Sequence, residues 1–108
     1  MELSNALAAL GALSHEHRLR AVRQLIQIGP VGMPVGALRD ALGIPPATLT
    51  AHLNVLRAAG LVRDRREGRV IRVFANYAQM NALLGYLTEN CCASDPRTDC
   101  RPVAACCT

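Results

Sequence analysis

The sequence predicts a mainly α-helical domain with one small β-hairpin, and three observations lead there. Hydrophobic residues make up 51% of the chain but aromatics only 3%, with no Trp. The core must therefore come from Leu, Ile, Val and Ala, and an all-β sandwich is disfavoured. Apolar residues recur at helical spacing over most of the chain, whereas one stretch, Leu61 to Tyr77, alternates as a strand does. At 108 residues one domain with one modest core is expected, burying about two-thirds of the surface that the unfolded chain exposes. We assign residues 1–92 to this folded unit and residues 93–108, which lack an apolar period, to a flexible tail.

Leu3, Leu7 and Leu10 recur at helical spacing and predict a first helix. Ser14 is placed to cap a second, whose stripe is Leu19, Val22, Leu25 and Ile26 and which stops at Gly29-Pro30. The loop from Gly29 to Pro34 ends in a proline suited to the first turn of a helix. Val35, Leu38 and Leu42 give a short third helix, which Gly43 closes. Pro45 and Pro46 fix the next turn. From Ala47 to Ala59 the stripe Leu49, Leu53, Leu56 faces a core, Ala47, Ala51 and Asn54 lie opposite, and Gly60 ends the helix.

In "LVRDRREGRVIRVFANY" the positions Ile71, Val73 and Ala75 alternate, and Glu67-Gly68 falls where a hairpin turn needs a residue tolerant of positive φ. Met80, Leu83, Leu84 and Leu87 then form a helical stripe that Cys91 would continue, so the last helix is expected to run from about Tyr77 into the cysteines.

Arg and Lys outnumber Asp and Glu 12 to 8, and all 12 are Arg, whose planar fork suits bidentate contacts to phosphate and guanine. Arg57, Arg63, Arg65, Arg66, Arg69 and Arg72 gather in and just before the hairpin, with Asp64 and Glu67 offsetting part of the charge. Helix, turn, helix, then a basic hairpin is the layout of a winged helix, in which the second helix of the pair enters the major groove and the hairpin meets an adjacent groove or the phosphates. Phe74, Tyr77 and Tyr86 are too few to build an RNA-stacking surface, so duplex DNA is the expected polyanion.

The stretch Ala6 to Leu13 is too short for a membrane span and lacks the basic flank of a signal peptide. No membrane partner is expected, and the protein reads as cytoplasmic. All 5 cysteines follow Leu87: Cys91, Cys92, Cys100, Cys106 and Cys107. In a reducing compartment an odd, clustered set reads as thiols instead of a disulfide framework. His15 and His17, two apart on a helix, point to different faces and are poor joint chelators; they read as structural or as lying near DNA.

The segments "ALSHEHRLRAVRQL", "LTAHLNVLRAAGLV" and "RREGRVIRV" resemble the ArsR/SmtB family of small metal-responsive transcriptional repressors, over residues from about 6 to 90. The resemblance implies a winged-helix homodimer with the first and last helices at the interface, reading a pseudo-palindromic operator in double-stranded DNA, and detoxification or efflux functions among the regulated genes. It places Thr48, Thr50 and His52 toward DNA on the recognition helix and Arg66 and Arg69 on the wing; a packed position is the other reading of His52. Pro45, Pro46, Ala47 and Ala51 depart from the polar residues usual there, which shifts affinity toward phosphate contacts and DNA shape.

Two inducer sites of relatives are absent: Val35 to Gly43 holds no cysteine, and Tyr77 to Thr88 holds no Asp, His or Glu. "YLTENCC" with a further cysteine resembles the arsenic-sensing branch, which implies Cys91, Cys92 and Cys100 as the metal-binding set, with a longer spacing before Cys100 than is usual. As(III), and Sb(III) with it, is soft and takes three thiolates in a pyramid. Consecutive helical residues diverge by about 100°, so Cys91 and Cys92 can share an ion only where the helix loosens. Cys106 and Cys107 are accessory thiols of open role. Sensing of thiol oxidation or persulfide, a Zn/Cd site, and a thiol oxidoreductase or metal-scavenging protein remain alternatives. No enzyme active site and no organic cofactor are suggested.

Overall fold

The computed structural model describes residues 1–91. Cys92, Cys100, Cys106 and Cys107, and with them the segment 93–108, lie outside the described residues. In chain order the elements are α1 (Leu3–Leu13), α2 (Glu16–Ile28), β1 (Met33–Pro34), α3 (Val35–Leu42), α4 (Pro46–Ala58), β2 (Val62–Glu67), β3 (Val70–Ala75) and α5 (Tyr77–Leu87). The strands form one antiparallel sheet in the order β1-β3-β2.

The core lies where α2, α3 and α4 meet the sheet. Val22 and Leu25 of α2, Leu38 of α3, Leu49, Leu53 and Leu56 of α4, and Val73 of β3 are all at most 1% exposed. Burying a leucine side chain stabilises by about 1.5–3 kcal/mol, so the leucine stripe of α4 anchors that helix firmly while its opposite face stays in solvent. Leu61 and Val62, also buried, carry the chain from α4 into the hairpin.

The helix starts differ from the expected ones at two joints. Ser14 closes α1, its Oγ donating to the Gly11 carbonyl at 2.9 Å, and the cap of α2 is His15, whose Nδ1 accepts the His17 backbone N–H at 3.1 Å. Both residues present a short acceptor near the right place, and α1 uses the hydroxyl first. At the other junction Pro46 is already helical and Pro45 is the N-cap, because a proline costs nothing where the N–H has no helical partner.

β1 was not legible in the sequence. Its two residues pair Met33 with Val73 and Pro34 with Arg72, and a proline is tolerated on this edge strand. Gly32 allows the approach: its φ is 65°, and a Cβ there would collide with the Val73 carbonyl oxygen and sit 2.7 Å from Phe74 Cδ1.

Two further findings concern the outer helices. α1 buries Ala6, Ala9 and Ala12 and leaves Leu3, Leu7 and Leu10 61%, 59% and 40% exposed. α5 ends at Leu87 and does not run into the cysteines: the Thr88 hydroxyl donates to the Leu84 carbonyl at 2.8 Å, and Asn90 adopts φ 56°, a left-handed conformation that stops helical propagation. Among the described residues no helix is long and apolar enough to cross a membrane.

Candidate nucleic-acid interface and the end of the last helix

α3 and α4 are joined by a tight turn with Gly43 at φ 67° and Ile44 half-buried beneath it. With Leu49, Leu53 and Leu56 turned inward, Ala47, Thr50, Ala51, Asn54 and Val55 lie on the exposed face of α4. The Thr50 hydroxyl donates to the Pro46 carbonyl at 3.0 Å, so its proton is committed within the helix and its oxygen is left to accept. Thr48 is half-buried. Asn54, to which the sequence assigned no role, offers its Oδ1 to Arg57 Nη1 at 2.8 Å on the exposed face of α4.

β2 and β3 pair from Val62 with Ala75 to Glu67 with Val70. Two residues, Gly68 and Arg69, make the tip, and Gly68 at φ 63° takes the first loop position, where two-residue hairpins favour glycine. The arginines divide into two sets. Arg57 Nε lies 2.7 Å from Asp64 Oδ2, a close ion pair although this N–H is not aligned on the oxygen as a hydrogen bond. Arg65 donates to Glu67 at 3.1 Å and lays its guanidinium 5.0 Å from the Phe74 ring centroid, within cation–π range. Arg72 donates to Glu67 at 2.9 Å and to the carbonyls of Val31 and Gly32. The hydrogen bond from Arg72 is the main reason the Glu67 carboxyl is held below its ordinary range.

Among the described residues, Arg63, Arg66 and Arg69 are the hairpin arginines that make no ion pair, and all three are exposed. Arg66 and Arg69, assigned to the wing by the sequence, therefore stand at its tip with their charge available. Arg63 is exposed as well, but it pairs with Phe74 at the base of the hairpin, away from the tip.

His52 lies on the flank of α4, half-buried, with its ring centroid 4.4 Å from that of His15 and 5.8 Å from that of His17. Burial first, and then electrostatic repulsion from His15, Arg18 and His17, lowers its pKa from 6.5. The three imidazoles thus meet at the junction of α2 with α4, which spacing along α2 alone did not suggest. Among the described residues no group of three His, Cys, Asp or Glu is arranged to hold a metal ion.

Cys91 sits just past α5, exposed, with its backbone N–H donating to the Thr88 carbonyl at 3.0 Å. Cys92 and Cys100, which the resemblance joins to it, and the accessory thiols Cys106 and Cys107, lie outside the described residues.

A helix pair with a solvent-facing second helix, followed by a hairpin whose tip arginines make no ion pair among the described residues, defines a winged helix-turn-helix protein. Comparison with known proteins narrows the class. Residues 13–65 match the family described as a helix-turn-helix domain. The nodulation protein NolR of Rhizobium meliloti is 31% identical over 84 residues, covering 78% of this chain and 66% of that protein, so the chain spans slightly under two thirds of this curated relative.

Among solved structures, the transcriptional repressor BigR from Xylella fastidiosa is 32% identical, with 83% of this chain and 86% of that one covered at a TM-score of 0.60. An ArsR-like transcriptional regulator from Rhodococcus sp. RHA1 is 28% identical, with 84% and 82% covered at 0.70. The homodimeric winged helix-turn-helix DNA-binding domain Mb0332 from Mycobacterium bovis is 27% identical, with 82% of each chain covered at 0.64. The chain belongs to the ArsR family of winged-helix transcriptional regulators.

Proposed function

We propose that the protein is a homodimeric repressor that occupies its operator in the effector-free state. It releases the operator when As(III), or Sb(III) of the same valence and softness, is taken by Cys91 with Cys92 and Cys100. The observation that carries this reading is the position of Cys91, an exposed thiol at the end of α5 and past the left-handed residue Asn90. By Cys91 the chain has left helical geometry, and it is a continuing helix that would hold adjacent residues about 100° apart. A soft, pyramidal trivalent ion prefers three thiolates and needs no imidazole.

The dimer reading is supported by the leucine face of α1, with Leu3, Leu7 and Leu10 exposed beside a helix that packs on its alanines, and by Leu87 of α5 at 54% exposure. α1 and α5 contact one another, so these apolar side chains belong to adjacent elements. Contiguous exposed apolar surface marks an interaction site, and a two-fold pair would present two α4 helices to two operator half-sites. An ion bound just beyond α5 acts at the edge of that interface and can change the spacing of the two reading heads. Coupling of about 1–3 kcal/mol, or 5- to 150-fold in affinity, is typical of such linkage.

Ultraviolet absorbance tests the effector directly. Reduced protein titrated with arsenite is expected to develop thiolate-to-arsenic charge-transfer absorbance that saturates at a fixed stoichiometry and is strongly diminished in Cys91→Ser. A response to Zn(II), Cd(II) or an oxidant in its place would assign the thiols to another signal.

A further inference from the structure

We propose that His15, His17 and His52 form a proton-sensitive clasp between α2 and the recognition helix α4, so that acidification through the imidazole range, about pH 7 to 5.5, loosens the clasp and lowers operator affinity. The inference rests on the DNA-binding reading and adds a second input to it.

Three observations carry it. First, the three rings lie 4.4, 5.7 and 5.8 Å apart by centroid, close enough that charging more than one of them is mutually repulsive. Second, His15 is the N-cap of α2 through Nδ1, which accepts the His17 backbone N–H. An imidazolium has no lone pair to offer, so a proton on Nδ1 breaks that hydrogen bond. It also places positive charge at the helix N-terminus, where the macrodipole opposes it. Third, among the described residues His17 Nδ1 is buried with no hydrogen-bond partner, so a proton carried there finds no acceptor among them.

Among the described residues no carboxylate forms an ion pair with any of the three rings. Around His52, α2 contributes His15, His17 and Arg18, all cationic or able to become so. α1 carries no charged side chain from Leu3 to Leu13. Glu16, in the first turn of α2, is engaged with Arg20 at 3.6 Å. From β2, Asp64 is held by Arg57 near the far end of α4. The depression of the His52 pKa by burial and these neighbours has the same sense. A group whose folded pKa lies below 6.5 stabilises the closed arrangement above that pH, and the contribution is lost as pH falls through and below it.

The test is fluorescence anisotropy of the full reduced chain on a labelled duplex from the region upstream of its own gene, at pH 7.5 and 5.5 and fixed ionic strength. The wild type is expected to bind about tenfold more weakly at the lower pH, the equivalent of one unit of proton affinity. His15→Asn supplies an N-cap acceptor that no proton removes; it should keep the pH 7.5 affinity and shrink the acid effect to about threefold or less. His17→Gln, checked for folding by circular dichroism, should behave likewise. An unchanged affinity at pH 5.5, a rise in affinity, or the full acid effect persisting in both variants would overturn the clasp; a rise would mean that an imidazolium meets phosphate directly. Absence of binding at pH 7.5 would instead overturn the DNA-binding reading itself, and with it any role for the clasp in regulation.

Discussion

Arg72 in the middle of β3 donates through Nε to Glu67 Oε1 at 2.9 Å, and through Nη1 to the carbonyls of Val31 and Gly32 at 3.2 and 3.3 Å. One half-buried guanidinium thus ties the tip of the wing to the loop that leads into α3. Its side chain is only 28% exposed, so it positions the hairpin and is not itself presented to a phosphate. Glu67 completes the tether only while ionised. Because its pKa is lowered from 4.5, the tether is fully present above that value and is lost as pH falls through the lowered one.

This separates the arginines experimentally. Arg66→Ala and Arg69→Ala should each weaken binding to every duplex tested and reduce the slope of log affinity against log salt by about one for each phosphate no longer neutralised. Arg72→Ala should also weaken binding, through a mispositioned wing, while leaving that slope unchanged. Anisotropy over a salt series measures both quantities, and equal slope changes in all three variants would put Arg72 on the DNA.

Gly32 is a point of backbone constraint. Gly32→Ala demands a left-handed alanine and drives its Cβ into the Val73 carbonyl and the Phe74 ring. We expect a loss of about 2–4 kcal/mol in urea unfolding. A loss below about 0.5 kcal/mol, the range of ordinary surface changes, would show that β1 does not need its close approach to β3.

The leucine face of α1 should hold two copies together. Leu7→Glu places a charge at a position that is 59% exposed in the single chain, so it should leave the fold intact and convert dimer to monomer in sedimentation, with loss of tight binding to a two-half-site duplex. A variant that remains dimeric would move the interface elsewhere.

Much of this architecture is legible in the residues. The stripe Leu49, Leu53, Leu56 and the glycines Gly43 and Gly60 delimit the recognition helix, and alternation at Ile71, Val73 and Ala75 marks the hairpin. What escaped did so for physical reasons. A two-residue strand containing Pro34 has no period to detect, since its pairing is decided by Val73 and Arg72 some forty positions away. The burial of alanines instead of leucines on α1 depends on how closely α1 approaches its neighbours. The partition of the arginines depends on Glu67 reaching Arg65 along β2 and Arg72 across the hairpin, and the meeting of His52 with His15 and His17 depends on tertiary packing. At the cysteine end only Cys91 lies within the described residues, and for it the structure adds the exposed turn beyond α5.

The decisive measurement is an arsenite titration of the reduced dimer on a labelled duplex from upstream of its own gene, for the wild type and for Cys91→Ser. Release of the wild type at near-stoichiometric arsenite, with Cys91→Ser bound equally well before addition and unmoved after it, is the expected result. Tight binding by the wild type that ignores arsenite would contradict the assignment of these thiols to a trivalent metalloid.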